Sequence, residues 1–184
     1  MFKEGVSLDS SDRIELGEYV ACTFTGIDFS SLDLSDYDFN ECVFTDCNFS
    51  NAKLQGTRLQ KVKFVNCKML GNRFDVCHKF GLSFTFEGCQ LSHSSFYEMK
   101  IKNTVFKDCQ LHEVDFTEAD LSNVVFDNCD LMRAVFQKTN LQVADFSTAV
   151  NYSLDPAMNR VRKAKFSING LPGLLTQYAL DIKA

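Results

Sequence analysis

Large apolar residues recur every five positions along most of the chain. Phe24, Phe29, Leu34, Phe39, Phe44, Phe49, Leu54, Leu59, Phe64, Met69 and Phe74 form one run of eleven. Phe86, Leu91, Phe96, Ile101, Phe106, Leu111, Phe116, Leu121, Phe126, Leu131, Phe136, Leu141 and Phe146 form a second run of thirteen. Two positions before each centre stands a smaller residue, often Cys, Ala, Val, Thr or Ser, and most other slots are polar. On an α-helix a step of five rotates by about 140°, so the stripe would wrap around every side. On a strand it alternates faces. A chain that bends after every five residues, each time turning the central one inward, satisfies the pattern, and that chain is a solenoid.

The number of sides per coil follows from the cysteines. Cys89, Cys109 and Cys129 recur every 20 residues, while Met99, Ala119 and Thr139 occupy the halfway positions. Four sides of five residues therefore close one coil. One column then reads Phe24, Phe44, Phe64, Phe86, Phe106, Phe126, Phe146, and the opposite one Leu34, Leu54, Phe74, Phe96, Phe116, Phe136. The step from Phe74 to Phe86 is 12 rather than 10, so two residues are inserted between Asp75 and Thr85. The cysteine column Cys47, Cys67, Cys89 crosses the insertion in phase, which predicts a local bulge on one corner with Gly81 as its hinge. Phe24 to Phe146 then spans six coils, a rod of about 29 Å with side chains laddered along it.

The predicted organisation has three parts. Residues 1–20 form a first coil or cap, with Ile14 and Tyr19 continuing the period; residues 21–150 form the β-helix; residues 151–184 form a C-terminal cap with short helices. Both prolines, Pro156 and Pro172, lie in this last part. The segment LDPAMNRV predicts a turn opening a short helix, and GLPGLLTQYALDI a second helix. The second puts Leu171, Leu174, Leu175 and Tyr178 on one face, to cover the last coil, to bind a second copy, or both.

Composition narrows the function classes. The 184 residues include 18 Phe, 8 Cys, no Trp and 2 Pro, with 45% hydrophobic and 23% charged residues, which excludes a disordered or proline-rich chain. A net charge of −5 argues against a generic nucleic-acid binder but allows a basic partner. The first twenty residues lack the apolar stretch of a signal peptide and no run reaches the length of a membrane span, so a cytoplasmic protein without membrane contact is expected.

The repeat resembles the pentapeptide repeat family, whose loose pattern A-(D/N)-L-x-x is matched by Ala119-Asp120-Leu121-Ser122-Asn123 and Ala144-Asp145-Phe146-Ser147-Thr148. The resemblance covers residues 22–148 and implies an all-β fold, a right-handed quadrilateral β-helix with a short C-terminal α-helical segment. Length, Phe-rich core and a tail running Asn151-Tyr152-Ser153-Leu154-Asp155-Pro156 to Asn159-Arg160 before a Leu-rich helix are similar to the Qnr and MfpA group and to immunity proteins against gyrase-poisoning microcins. That group implies cytosolic rod-shaped dimers that bind DNA gyrase or topoisomerase IV and blunt the action of poisons. Qnr proteins of Gram-negative bacteria carry two projecting loops; with only a two-residue insertion here, no loop function carries over.

Candidate chemistry is sparse. Seven of the eight cysteines occupy the small slot two before a centre, where a free Cys acts as a buried hydrophobe. Cys77, beside His78, is the one candidate for a reactive thiol. His78, His93 and His112 share no column, and no nucleophile–base pair, phosphate loop or zinc spacing occurs. The expectation is a non-enzymatic protein with no catalytic residue, no metal and no cofactor.

Charge carries more. Residues 104–150 hold eight acids against three bases, whereas residues 51–80 hold seven bases against Asp75 alone. A rod that displays carboxylates at fixed spacing is suited to mimic DNA before a basic DNA-binding enzyme. A tail-to-tail dimer would be about 60 Å long, near 18 base pairs. The acidic patch expected to serve is Asp108, Glu113, Asp115, Glu118, Asp120, Asp127 and Asp130. The leading function is a type II topoisomerase-binding protector, the runner-up a general interaction scaffold with another partner; a third reading, an enzyme using Cys77 or a histidine, would need a bound metal or an abnormally reactive thiol.

Overall fold

In the computed structural model, which describes residues 1–181, the chain winds into a four-sided, right-handed β-helix of about eight turns. The first face carries nine parallel strands stacked in order from Ser7–Asp9 to Lys165–Phe166. Its inward residues are Leu8, Phe24, Phe44, Phe64, Phe86, Phe106, Phe126, Phe146 and Phe166, each in register with the next. The second and third faces are chains of single β-bridges, such as Gln90–Gln110–Asp130 and Ser95–Asp115–Val135.

The core is aromatic stacking along columns and edge-to-face contact between them. Phe106 and Phe126 lie 5.3 Å apart at 12°, Phe96 and Phe116 5.3 Å apart at 13°, while Phe106 meets Phe116 at 77°. Both geometries suit the ring quadrupole.

The slot two before each centre is buried, and where a polar residue or Cys fills it the side chain can donate to the carbonyl of an inward residue one coil below. Thr57 Oγ1 reaches Leu34 O at 2.8 Å, Asn72 Nδ2 reaches Phe49 O at 2.9 Å, and Cys129 Sγ reaches Phe106 O at 3.3 Å. Apolar residues share the slot, small ones such as Val62 and Ala119 and longer ones such as Met99 and Tyr37.

Corners are turned by residues two after a centre, and these adopt left-handed backbone. Asn123 and Asn128 tolerate it well, whereas Val143, at φ 62°, is β-branched and strained.

The winding includes the N-terminal residues and extends past residue 150 at the other end. Tyr19 joins the period, stacking on Phe39 at 5.5 Å. Below it, Lys3 pairs with Tyr19 and Leu8 with Phe24, steps of 16, so the lowest coil is four residues short. At the top, Phe166 stacks on Phe146 at 5.2 Å, so the winding runs past residue 150. Its inward position was masked in the sequence because the intervening segment breaks the five-residue pattern.

The helical expectations for the tail are corrected in kind. The segment after Leu154 is a turn, not a helix: Met158 N donates to Asp155 O at 3.2 Å and Asn159 Nδ2 to the same carbonyl at 2.9 Å. Ile168–Leu174 and Thr176–Tyr178 are 3-10 rather than α-helical. Pro172 and two glycines inside so short a segment do not support an α-helical ladder. Ile182, the end of the expected second helix, lies outside the described residues.

The insertion replaces a whole side of one coil rather than one corner. The fourth face is a regular sheet from Phe2–Glu4 through Glu18–Val20 and Asp38–Asn40 to Arg58–Gln60, where it stops. Residues 78–83 occupy the next level as an irregular loop, with Gly81 at φ 73°. The face resumes one level higher with the bridges Lys100–Asp120–Asn140–Arg160.

Candidate interaction surfaces

The inward side chains of the described residues fill the core with packed aromatic and aliphatic groups. All eight cysteines are free and buried. Cys77 does not project from the insertion. It precedes the loop, fills the regular small slot above Thr57, and burial pushes its thiol up to about 12, with Asp75 adding to the shift. A thiol so reluctant to ionise is a poor nucleophile. Among the described residues no group of three or more His, Cys, Asp or Glu is placed to hold a metal ion. Among them, too, no helix is long and apolar enough to cross a membrane.

The seven acids of the expected patch are not brought together. Asp108 and Asp127 flank the first face, Glu113 and Asp130 the second, Asp115 and Glu118 the third, and Asp120 the fourth. The reason is the period itself: neighbours in sequence are distributed around the rod, and only steps of about 20 stay on one side.

Most of these acids are also engaged. Glu118 lies 3.3 Å from Lys138, Glu113 3.6 Å from Arg133 and 3.5 Å from His93. Asp120 lies 3.1 Å from Lys102 and accepts from Asn140 Nδ2 at 2.9 Å. Asp130 accepts from Asn151 Nδ2 at 2.9 Å, Asp127 from Thr148 Oγ1 at 3.1 Å, and Asp108 from Asn128 Nδ2 at 2.6 Å. Burial opposes the charge of Asp120, but hydrogen bonds from Ser122 and Lys102 outweigh it and hold the carboxyl below its ordinary range. The third face keeps carboxylates without an ion-pair partner among the described residues: Asp36, Glu98 and Asp115.

The tail does two things at once. Leu154 N donates to Gly173 O at 3.0 Å, Leu174 packs on the core, and Gly170 and Gly173 lie against Tyr152 so closely that a Cβ at either would collide with it. This side closes the last coil. Leu171, Leu175 and Tyr178 are exposed, Tyr178 at 62%, and Ile168 stands out at 85%. Of the four residues expected to share a face, Leu174 therefore points inward and the other three outward.

A surface absent from the sequence reading lies at the insertion. Phe80 is 79% exposed, and two grooves of about 460 Å³ each flank the loop with Leu82 in both. Five lysines line them, Lys61, Lys63 and Lys102 on one side, Lys79 and Lys100 on the other, against the single acid Glu98. The basic run at residues 51–80 was its only sequence signal.

Closed coils with five-residue sides, inward Phe or Leu and a small donor two places before define a pentapeptide-repeat solenoid. The Pentapeptide repeat region family matches residues 82–150, and Pentapeptide repeats (8 copies) matches 22–60 and 33–71. The chain belongs to the pentapeptide repeat family. No curated protein matches it. Among solved structures it is similar to trypsin-treated QnrB1, a plasmid-mediated fluoroquinolone resistance protein, with 17% identity, 100% of this chain and 99% of that chain covered, and a TM-score of 0.45. Full-length QnrB1 is 18% identical over 98% of this chain and 100% of that one, at a TM-score of 0.42. HetL, involved in heterocyst differentiation regulation in the cyanobacterium Nostoc sp. strain PCC 7120, is 9% identical over 82% of this chain and 89% of that one, at 0.37.

Proposed function

We propose that this protein is a non-enzymatic, cytoplasmic binding rod whose partner is a type II DNA topoisomerase, DNA gyrase or topoisomerase IV, and that it protects that enzyme from quinolones or similar poisons. The observation that carries the reading is the unbroken parallel stack from Leu8 to Phe166. Eight steps make a stiff rod of about 38 Å, and two rods joined at their tails reach about 77 Å, near 22 base pairs of duplex. The Qnr-like tail supports it: Tyr152 and Leu154 are buried, and Asn159 donates to Phe136 O at 3.0 Å, so the matched residues shape the end at which a dimer would form. Carboxylates stand in for phosphates in this reading. Asp115 and Glu118, with Glu98 one coil below, form the leading group, and Asp108, Glu113, Asp120, Asp127 and Asp130 contribute from the other sides. The protein itself does not bind DNA and needs no cofactor. Purified protein should alter gyrase supercoiling or restore it in the presence of ciprofloxacin; no effect over a wide concentration range refutes the proposal.

The alternative, an interaction scaffold with an unrelated partner, is favoured by one observation: the expected acids are spread over four sides and mostly paired. A pull-down recovering one other protein and no topoisomerase would select it.

A further inference from the structure

The broken fourth face leaves an open strand edge. At the higher levels of that face Asp120 N donates to Met99 O at 2.8 Å, Asn140 N to Ala119 O at 2.9 Å and Arg160 N to Thr139 O at 3.0 Å. At the level above the insertion Lys100 N makes no such bond among the described residues, and Lys100 bridges only upward, to Asp120. The cause is visible in the loop. Ser83 turns down instead of up: its N donates to Leu59 O at 2.9 Å and its Oγ accepts from Lys61 N at 2.8 Å. The loop therefore satisfies the strand below and leaves the one above unpaired.

We propose that this gap receives an extended acidic segment of a partner protein, which adds as a short strand to the edge at Lys100. An unpaired edge is a template for main-chain pairing, and alternate side chains of an added strand enter pockets on either side. The two grooves beside Leu82 supply those pockets, floored by Ile101 and Met99. Charge selects the occupant. Lys79 and Lys100 have no ion-pair partner among the described residues, while Lys61 and Lys102 are held by Glu41 at 2.7 Å and Asp120 at 3.1 Å. Glu98 is the one acid lining the grooves among the described residues. Phe80, 79% exposed on the loop, borders the groove that Lys79 and Lys100 line. The groove adjoins the acidic third face at Glu98, but the inference stands without the topoisomerase reading.

The probe is a fluorescent heptapeptide, Glu-Val-Glu-Ile-Glu-Val-Glu, with its Lys-for-Glu counterpart and an N-methylated form as controls. The acidic peptide should bind the full chain, and Lys79→Glu with Lys100→Glu should weaken it about tenfold or more. The basic and N-methylated peptides should not bind. Amide exchange by NMR gives a second readout: Lys100 should exchange faster than Asp120 in the free protein and become protected with peptide. No binding of the acidic peptide, equal binding to the charge-reversed variant or by either control, or a Lys100 amide already as protected as that of Asp120, overturns the proposal.

Discussion

Thr139 donates its hydroxyl to the carbonyl of Phe116, 2.9 Å away on the coil below, with both residues buried. This contact recurs with Thr57, Asn72, Ser94 and Cys129 as donor, so it is the repeated polar rivet between coils. Thr139→Val keeps the shape and removes the donor. It should cost about 0.5–1.5 kcal/mol, the net worth of one hydrogen bond, because Phe116 O still accepts from Ala119 N at 3.1 Å. Thr139→Cys, which keeps a weak donor, should cost less. Denaturant unfolding of the two variants checks the order; equal losses would show that the slot selects size alone.

Val143 turns its corner at φ 62° and is exposed, where most equivalent corners use Asn, Asp, Glu or Gly. Val143→Asn should stabilise the rod by about 1 kcal/mol by relieving backbone strain. A thermal melt that shifts down rather than up would contradict this.

Acid should loosen the rod through its carboxylates. Asp120 and Asp145 are both held below their ordinary range: burial opposes the charge, but Ser122 with Lys102, and Ser147 with Lys165, outweigh it. Because their folded values are depressed, their stabilisation is complete above the ordinary carboxyl range and is lost as pH falls through the folded values. Asp120→Asn and Asp145→Asn should therefore narrow the stability difference between pH 7 and pH 3, measured by urea midpoints. An unchanged difference would remove these groups from the account.

The exposed apolar side of the tail predicts self-association. Leu171→Glu together with Leu175→Glu should convert a dimer to a monomer in sizing with light scattering, without changing the circular dichroism, because both side chains point away from the coil. Gly173→Ala should act differently: its Cβ would meet Tyr152 O, so it should loosen the seat of the tail as well. A dimer that persists in the double variant places the contact elsewhere.

The extent to which the rod was legible differs by element. Columns such as Phe86–Phe106–Phe126 were readable because their inward slots hold large apolar residues and the period does not slip between them. Cys77 misled because it sits next to an insertion in sequence, whereas in space it belongs to the coil below the loop. The tail misled on helix type, since apolar spacing alone does not separate α from 3-10 geometry when Pro172 and Gly173 interrupt it.

The acidic patch shows where sequence stops. The fold, the number of sides, the place of the insertion and the identity of the core follow from a pattern local in the chain, because each five-residue side is specified by its own centre and small donor. Which charges share a side, which carboxylates are already paired, that the Lys100 amide is left without a main-chain partner, and that Leu174 turns inward while Leu171 turns outward are decided only when coils stack. Those relationships join residues about 20 apart or depend on how one loop settles its hydrogen bonds, and neither is written in any short stretch of sequence.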